Sequence, residues 1–292
     1  MPFEPEIIIH SSNSLTIKWQ YNTRNIEGFK IDKKEGNNEW IQEFTTVPFS
    51  QKNFTDNSVN SSSHYIYSIY AFAGNNNSSS VKIGTFLDPR DGTEYRTMQV
   101  GNQIWMAENL KYLPSVVGAG TGSVTNPCYY VYGYSGTDVA QAKTTANYKT
   151  YGVLYNWSAA MAGFASSNNN PSGVQGVCPT GWHLPSDAEW DELIIYLGGD
   201  GVAGGKLKEA DTLHWSSPNT GATNETGFTA LPAGYRYYIG AFGGIDNYGY
   251  WWCATEANVN TTWCRRMSYD ASEVFRSNNS KESGFSVRCV RD

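Results

Sequence analysis

The stretch CPTGWHLPSDAEW, residues 178–190, carries a complete start signal for a helix. Ser186 is suited to the N-cap, and Glu189 follows three residues later, which is the spacing of a capping box. The residues that follow are apolar at helical spacing, and the pair Gly198–Gly199 then ends the pattern. The sequence therefore predicts a helix over residues 187–197 whose apolar stripe packs into a core. That stripe consists of Trp190, Leu193, Ile194 and Leu197.

Residues 151–161 are a second helix candidate. The region after the helix at residues 187–197 lacks helical periodicity. Between residues 235 and 283, tryptophans and glycines stand at positions typical of a frame, with Tyr, Asn, Ser, Thr, Asp, Ala and Ile between them in no amphipathic order. This composition is typical of a binding surface, or of a loop-rich end of a β-rich domain. Trp251 and Trp252 should point to opposite faces of a strand, with one of them buried.

The N-terminal part of the chain alternates apolar and polar residues in short runs. Leu15, Ile17 and Trp19 share one strand face, and a Tyr-x-Tyr-x-Ile-x-Ala strand begins at Tyr65, so strands at this spacing predict an all-β sandwich. The segment resembles a fibronectin type III domain of the immunoglobulin-like class. That resemblance implies core packing for Trp19 and a tyrosine-corner position for Tyr65. The usual role of such a domain is that of a spacer or docking module.

A seam is predicted at residues 87–92, where Pro89 and Gly92 interrupt regular structure. The expected domains are therefore residues 1–87 and residues 88–292. A hairpin should open the second domain, because Gly101–Asn102 is a two-residue turn signal between the runs 95–100 and 103–106.

Composition excludes several classes of function. The formal net charge is −6 with scattered Lys and Arg, so no basic stripe indicates nucleic-acid binding. No apolar run approaches the length of a spanning helix, so we expect no direct membrane insertion by this chain. Residues 1–5 do not read as a signal peptide, which leaves a cytosolic protein or one whose export signal has been removed. Five cysteines weakly favour export, and the histidines are too scattered to predict zinc.

Four motifs identify the second domain by resemblance. They are residues 178–190, GFSVRCVRD at 284–292, QIWMAENL at 103–110 and YGVLYNW at 151–157. Together they resemble the Fibrobacter succinogenes major paralogous domain, which is abundant in surface proteins of Bacteroidetes. The resemblance implies an α+β variant of the C-type-lectin-like fold, related to the formylglycine-generating enzyme domain. It also implies a disulfide between Cys178 and Cys289 and a location outside the cell or on its outer surface.

A subset of this family serves as variable proteins of diversity-generating retroelements, in which adenines of a C-terminal coding repeat are randomised. Trp codons contain no adenine, so Trp251, Trp252 and Trp263 would belong to a constant frame, with Phe285 and Val287 beneath the variable surface. The alternative is an ordinary paralogue without diversification. The residues expected to vary and to form a solvent-facing binding surface are Tyr237, Tyr238, Ile239, Ala241, Asp246, Tyr248, Tyr250, Thr262, Cys264, Arg266, Ser268, Asp270, Phe275 and Ser277.

Two alternative functions involve catalysis or a metal ion. The related enzymes use a cysteine pair, for which Cys253 and Cys264 are the candidates, but both stand at positions expected to vary. A calcium lectin needs converging oxygen ligands. The Glu-Pro-Asn, Gln-Pro-Asp and Trp-Asn-Asp signatures of such lectins do not occur in the chain. His183 and Glu189 are interpreted as structural, the first hydrogen-bonded and the second a helix cap.

The sequence thus predicts a non-enzymatic surface protein that binds a protein or a cell-surface glycan through residues 237–250 and 261–275, without a metal or cofactor. Two further interpretations stay open. One is an adhesin or structural surface component that is not diversified. The other is an oxidoreductase of the formylglycine-generating type.

Overall fold

The protein is described here by a computed structural model covering residues 3–11, 13–23, 25–36, 38–60 and 63–292, with residues 3–5 as backbone. The chain divides into two compact units. The first comprises residues 1–107 with 225–227, and the second comprises residues 108–224 and 228–292.

The first unit is a β-sandwich, as predicted. One sheet has the order β1-β2-β5, and the other contains the run β10-β9-β8-β6-β3-β4 with β7 beside β6. The buried core between them includes Ile17, Trp19, Phe29 and Ile69, and Trp19 meets Phe29 edge-on with ring centroids 5.2 Å apart. The strands are β1 (Phe3–Ser11), β2 (Ser14–Gln20), β3 (Gly28–Glu35), β4 (Ile41–Pro48), β5 (Asn53–Asp56), β6 (Tyr65–Ala73), β7 (Asn76–Asn77), β8 (Val81–Leu87), β9 (Glu94–Val100) and β10 (Gln103–Met106).

Tyr65 makes the contact expected of a tyrosine corner. Its hydroxyl oxygen accepts the backbone N–H of Asn60, five residues upstream, at 2.8 Å. The Tyr65 hydroxyl also donates to Glu35 at 3.1 Å. The unit therefore resembles a fibronectin type III domain in its strand order and in this local detail.

The predicted seam at residues 87–92 is the turn of a hairpin. Strands β8 and β9 pair antiparallel with Leu87 opposite Glu94, and the Asp88 N–H donates to the Thr93 carbonyl at 2.8 Å. The next hairpin, β9 with β10, forms as predicted, with Val100 opposite Gln103. Because both hairpins extend the sandwich sheet, the structural boundary lies after Ala107 and not at residue 87. Turn-forming residues alone could not distinguish a linker from a hairpin.

The second unit combines short helices with strands. Its largest sheet has the order β15-β14-β16-β17-β18, and β13 pairs with β19 and β11 with β12. The elements are β11 (Tyr129–Tyr130), α1 (Val139–Thr144), α2 (Ala146–Tyr151), β12 (Leu154–Tyr155), α3 (Trp157–Met161), β13 (Trp182–His183), α4 (Asp187–Tyr196), α5 (Asp200–Leu207), β14 (Ala233–Tyr237), β15 (Ala241–Ile245), β16 (Tyr248–Glu256), β17 (Thr261–Ser268), β18 (Val274–Ser280) and β19 (Val290–Arg291).

Helix α4 confirms the predicted capping box. The Ser186 side chain accepts the Glu189 N–H at 3.1 Å, and the Glu189 carboxylate accepts the Ser186 N–H at 2.9 Å. The predicted apolar stripe of the helix is buried throughout, from Trp190 to Leu197. Leu197 itself is the C-cap, so the helix ends one residue earlier than predicted.

The prediction of one helix over residues 151–161 is wrong. Helix α2 ends at Tyr151, and Gly152 then takes a positive φ of 77°. A Cβ at Gly152 would lie 2.8 Å from the Leu110 carbonyl oxygen, so the glycine permits a close backbone approach that a helix would prevent. Asn156 then caps α3 by accepting the Ala159 N–H. Apolar spacing alone could not reveal this break.

A disulfide joins Cys178 and Cys289, whose Cα atoms are 6.0 Å apart, as the family resemblance implied. It ties the segment before α4 to the C-terminal end of the chain. Within the described residues, no helix is both long and apolar enough to cross a membrane.

Candidate ligand-binding face

The frame of the candidate site is strand β16, with two buried tryptophans. The indole N–H of Trp251 donates to the Asn109 side chain at 2.8 Å, and that of Trp252 donates to the Tyr155 carbonyl at 2.7 Å. Successive strand residues point to opposite faces. Burial of one of the two is predicted from the sequence, and both are buried, because the sheet is covered on both faces at this point.

A row of large side chains crosses the sheet beside this frame. Tyr250 on β16 lies directly opposite Arg266 on β17, and Arg266 lies opposite Phe275 on β18. Directly opposed residues of antiparallel strands share one face of the sheet. Tyr248, two residues before Tyr250, extends the same face. The aromatic face is defined here as Tyr235, Tyr237, Tyr238, Tyr248, Tyr250, Arg266 and Phe275.

The rings of the aromatic face form a continuous series. From the β14 turn inward, centroid distances are 4.6 Å for Tyr237–Tyr238, 6.3 Å for Tyr235–Tyr237 and 5.4 Å for Tyr235–Tyr250. The Tyr248 and Tyr250 centroids are 6.4 Å apart. These spacings lie in the range of interacting aromatic pairs, so the rings support one another as a single surface.

Arg266, between Tyr250 and Phe275, connects the series of rings to Phe275 on β18. Its guanidinium carbon lies 4.2 Å from the Phe275 ring centroid and 5.7 Å from that of Tyr248. Both distances allow a cation–π interaction. Among the described residues, no carboxylate lies within ion-pair distance of Arg266, and its buried Nε has no hydrogen-bond partner.

The aromatic face rests on buried apolar residues. The Phe285 ring stacks on Tyr250 at 4.6 Å and meets Trp252 at 4.3 Å, and Val287 is fully buried. Burial raises the pKa of Tyr250. The expectation that Trp263 also lies beneath this surface is wrong. Trp263 is half-buried, and neighbouring β17 residues place it on the opposite face, where Arg276 lies 3.4 Å over its ring.

Arg236 holds the turn that carries Tyr237 and Tyr238. It is 1% exposed, and its guanidinium donates to the carbonyls of Ala119 at 2.8 Å, Thr121 at 3.1 Å and Glu282 at 2.8 Å. These bonds tie β14 to two other segments of the unit. The exposed tyrosines therefore extend from an anchored strand.

Eleven of the predicted variable residues are exposed or half-buried. Tyr237, Tyr238 and Ile239 are exposed by 41%, 46% and 70%. Ala241, Asp246 and Asp270 are also exposed. The half-buried members are Tyr248, Tyr250, Arg266, Phe275 and Ser277.

The expectation of solvent exposure is wrong for Thr262, Cys264 and Ser268, which are buried. The Thr262 hydroxyl donates to the Thr255 carbonyl at 2.7 Å, and Cys264 lies opposite the covered Trp252. The Ser268 hydroxyl donates to Asp270. Small side chains are compatible with both a buried and a surface position, so residue type could not predict their burial.

The free thiols of this unit are also buried. Burial raises the pKa of the Cys264 thiol to about 11 and raises that of Cys253 well above its ordinary value. At neutral pH both groups are therefore held as thiols and not as nucleophilic thiolates. Within the described residues, no group of three or more His, Cys, Asp or Glu side chains is arranged to hold a metal ion.

His183 has the structural environment expected of it. Its Nε2 lies 2.6 Å from the Glu189 carboxylate and its Nδ1 lies 2.7 Å from the Asp292 side chain. Burial disfavours the imidazolium, but the hydrogen bonds and charges of the two carboxylates outweigh it and raise the pKa of His183. The histidine thereby links the start of α4 to the last residue.

Tyr235 and Arg236 were absent from the predicted site. Tyr235 stands two residues before Tyr237, so strand alternation alone would have placed both on one face. The ring of Tyr235 bridges Tyr237 and Tyr250, which makes it central to the series. No sequence pattern would have identified the anchoring role of Arg236, because its partners are backbone carbonyls distant along the chain.

Comparison with known proteins gives a match to one family and weak likenesses to solved structures. A computationally redesigned β-sandwich protein has 19% identity and a TM-score of 0.26, with 28% of this chain and 88% of that chain covered. The FN1-FN3 domains of chicken CNTN1 have 13% identity and a TM-score of 0.25, with 34% and 30% covered.

No curated protein matches the sequence. The Fibrobacter succinogenes major domain matches residues 98–291, which is more than half of the chain and includes the aromatic face with its frame. The chain therefore belongs to the Fibrobacter succinogenes major domain family.

Proposed function

We propose that the second unit is a non-enzymatic ligand-binding domain whose site is the aromatic face, and that its ligand is a protein or a cell-surface glycan. The observation that carries the proposal is the continuous series of side chains on β14, β16, β17 and β18, in which Arg266 on β17 connects the tyrosines to Phe275. Residues far apart in sequence contribute one surface, in which Tyr237 and Tyr238 are exposed and the other members are half-buried.

The chemistry of the face suits recognition. Tyrosine supplies a large amphipathic contact area while losing few rotamers on binding. Residues that dominate binding energy in protein interfaces are enriched in Tyr, Trp and Arg. The frame beneath, with Trp252, Phe285 and Arg236 buried, fixes these side chains before a ligand arrives. Such pre-organisation lowers the entropic cost of association.

We further propose that the fold is C-type-lectin-like and that the coding region is diversified by a retroelement. Exposed positions tolerate substitution at little cost in stability, usually within about 0.5 kcal/mol. The exposed and half-buried members of the predicted set meet this requirement. Thr262, Cys264 and Ser268 do not, so the diversified set is proposed to be narrower than the sequence suggested.

Sequencing around the gene tests diversification separately from binding. We expect a template repeat and a reverse transcriptase gene nearby, with repeat mismatches confined to adenines. A repeat absent from the locus would leave a non-diversified surface adhesin as the better interpretation.

An oxidoreductase of the formylglycine-generating type is less well supported. Its chemistry needs reactive thiolates, whereas burial raises the pKa of both Cys253 and Cys264. Thiol oxidase activity that requires these cysteines would reverse this assignment.

We propose an extracellular or outer-surface location. Disulfides persist in oxidising compartments and are rare in the cytosol. The Cys178–Cys289 bond supports this location.

The direct test of the binding site is a paired substitution. Arrays of glycans and of surface proteins are probed with the wild type and with a Tyr237→Ala, Tyr248→Ala variant. Truncating one dominant interface residue costs about 2 kcal/mol or more, so the double variant should lose detectable binding. Tyr196→Ala is the matched control, because Tyr196 on α4 is 65% exposed and outside the aromatic face.

A calcium chelator should leave binding unchanged. Loss of binding in the chelator, with the tyrosine variant unaffected, would support a calcium lectin and contradict the proposal.

A further inference from the structure

The one charge within the aromatic face belongs to Arg266, and its environment differs from those of the other arginines on β17 and β18. The buried Arg265 lies 2.9 Å from Asp187 and 2.6 Å from Asp191, and Arg276 lies 2.7 Å from Asp187. Arg266 has no such carboxylate among the described residues. The charge of Arg266 is therefore neutralised by no carboxylate of the described residues, and the neutral Tyr250 side chain interacts with it.

The two neighbouring rings hold the Arg266 guanidinium in place. The Phe275 centroid lies 4.2 Å and the Tyr248 centroid 5.7 Å from its central carbon. Restricting a planar guanidinium in advance reduces the entropy lost when it forms two parallel hydrogen bonds to a carboxylate. The half-buried position also limits the water that screens a charge pair.

The Nε of Arg266 has no hydrogen-bond partner, a feature that it shares with Nε and Nη1 of the buried Arg265. The Arg266 nitrogen is buried from solvent. A buried polar atom without a partner costs free energy, and such an atom in a native protein calls for an explanation. Since Arg265 has such atoms too, Arg266 is set apart by having no carboxylate partner among the described residues, and not by its Nε.

We propose that the aromatic face contains a carboxylate subsite at Arg266, and that the ligand is a protein that places an Asp or Glu side chain there. The inference rests on the proposed function and specifies its ligand chemistry. A guanidinium forms paired hydrogen bonds with a carboxylate. A protein is favoured over an acidic glycan because Tyr and Arg together are enriched at the energetic centre of protein interfaces.

The test uses a phage-displayed library of random twelve-residue peptides, selected on the full chain. The peptides recovered should share an acidic residue beside an apolar one. Binding of these peptides should fall by roughly tenfold to a hundredfold in Arg266→Gln, since a hydrogen bond to a charged group contributes about 1.5–3 kcal/mol. Arg266→Lys should give an intermediate loss, because it keeps the charge without the planar fork.

Arg276→Gln is the matched control. It removes the same charge from the opposite face of the sheet, and it should bind the selected peptides like the wild type. Thermal unfolding of each variant verifies that the fold is intact. Selected peptides without acidic residues, or peptides that bind Arg266→Gln as tightly as the wild type, would overturn the proposal.

Failure of this inference is distinguishable from failure of the proposed function. If Tyr237→Ala, Tyr248→Ala abolishes peptide binding while Arg266→Gln does not, the face is a binding site without a carboxylate subsite. If neither variant matters, the peptides bind elsewhere and both proposals fail. Stronger binding of uronic-acid oligosaccharides than of any acidic peptide, lost in Arg266→Gln, would retain the subsite but reject a protein ligand.

Discussion

Two neighbouring rows of the same sheet have the same kind of residues and opposite environments. One row is Trp251, Arg265 and Arg276, and the other is Tyr250, Arg266 and Phe275. The first row is directed towards α4, where Arg265 and Arg276 share Asp187. The second row is directed towards solvent, with Arg266 at its centre between Tyr250 and Phe275.

The difference shows how one strand separates a buried frame from the proposed binding site. Arg265 and Arg266 are consecutive, yet strand alternation buries the first among carboxylates and leaves the second half-exposed without one. Ion pairs on the frame side fix the helix against the sheet. Substitutions on the other side should then cost little stability.

The largest expected difference between the two rows concerns their aromatic residues. Trp251→Ala should destabilise the unit by about 3–5 kcal/mol, because it removes a fully buried indole and leaves a cavity. Tyr248→Ala, on the half-exposed row, should cost about 1 kcal/mol or less. Urea unfolding of both variants measures the difference. Equal losses would mean that the aromatic face also supports the fold.

The second-largest expected difference is in the free energy of unfolding, between substitutions of Arg265 and of Arg266. Arg265→Leu leaves Asp187 with Arg276 alone, and breaking a buried ion pair costs roughly 3 kcal/mol. Arg266→Leu breaks no ion pair among the described residues and should change stability by about 1 kcal/mol at most. Chemical unfolding at low and high salt provides the check. A greater loss in Arg266→Leu would contradict the division into frame and site.

A smaller effect is expected at Gly244, which lies beneath two tyrosines of the face. Its φ is +71°, and a Cβ there would lie 2.6 Å from the Tyr235 ring and 3.0 Å from that of Tyr248. Gly244→Ala should cost about 1–2 kcal/mol and displace both rings, so binding should weaken as well.

Gly163→Ala is the control for backbone strain alone, because Gly163 has φ +87° with open space around its Cβ position. It should lose stability without losing ligand affinity. Binding and thermal unfolding of the two alanine variants are compared side by side. Undiminished affinity in Gly244→Ala would mean that Tyr235 and Tyr248 need not hold their present positions.

Local signals in the sequence predicted several elements of the fold. The capping box at Ser186 and Glu189 depends on residues three apart, so it could be read directly. The hairpin around Gly101 was equally local. The break at Gly152 depends on the approach of Leu110, which is distant in sequence, and the periodicity of residues 151–161 did not reveal it.

The sequence predicted only part of the candidate site, because several features of the site also depend on contacts between residues distant in sequence. Residue type indicated the tyrosines, but burial of Thr262 and Cys264 depends on which side of the sheet is covered. The position of the Tyr235 ring beside Tyr250, and that of Arg266 directly opposite Tyr250, follow from the pairing register of the strands. Register arises from the whole sheet and cannot be obtained from one strand's sequence.

The smallest expected effect is a pH dependence of the free energy of unfolding, caused by His183 on the frame side of the sheet. His183 bonds Glu189 on α4 and Asp292, and these carboxylates raise its pKa despite burial. The unfolded-state pKa of a histidine is about 6.5. Because the folded-state pKa of His183 is higher, the folded protein binds more protons than the unfolded protein at pH values between these two pKa values. The stabilisation from His183 is therefore fully present below about pH 6.5 and is lost as pH rises through the folded-state pKa.

The variant His183→Gln should remove this decline in stability. The control is His214→Gln, which replaces a histidine bonded to Glu209 and should retain the decline. Unfolding free energies measured at intervals from pH 6 to pH 9 provide the test. Ligand affinity should stay constant over the lower part of that range, because burial raises the pKa of Tyr250 and keeps its hydroxyl protonated. A decline that persists in His183→Gln would assign the pH dependence to another group. Affinity that falls together with stability would show that the two faces of the sheet are coupled, contrary to the division between frame and site.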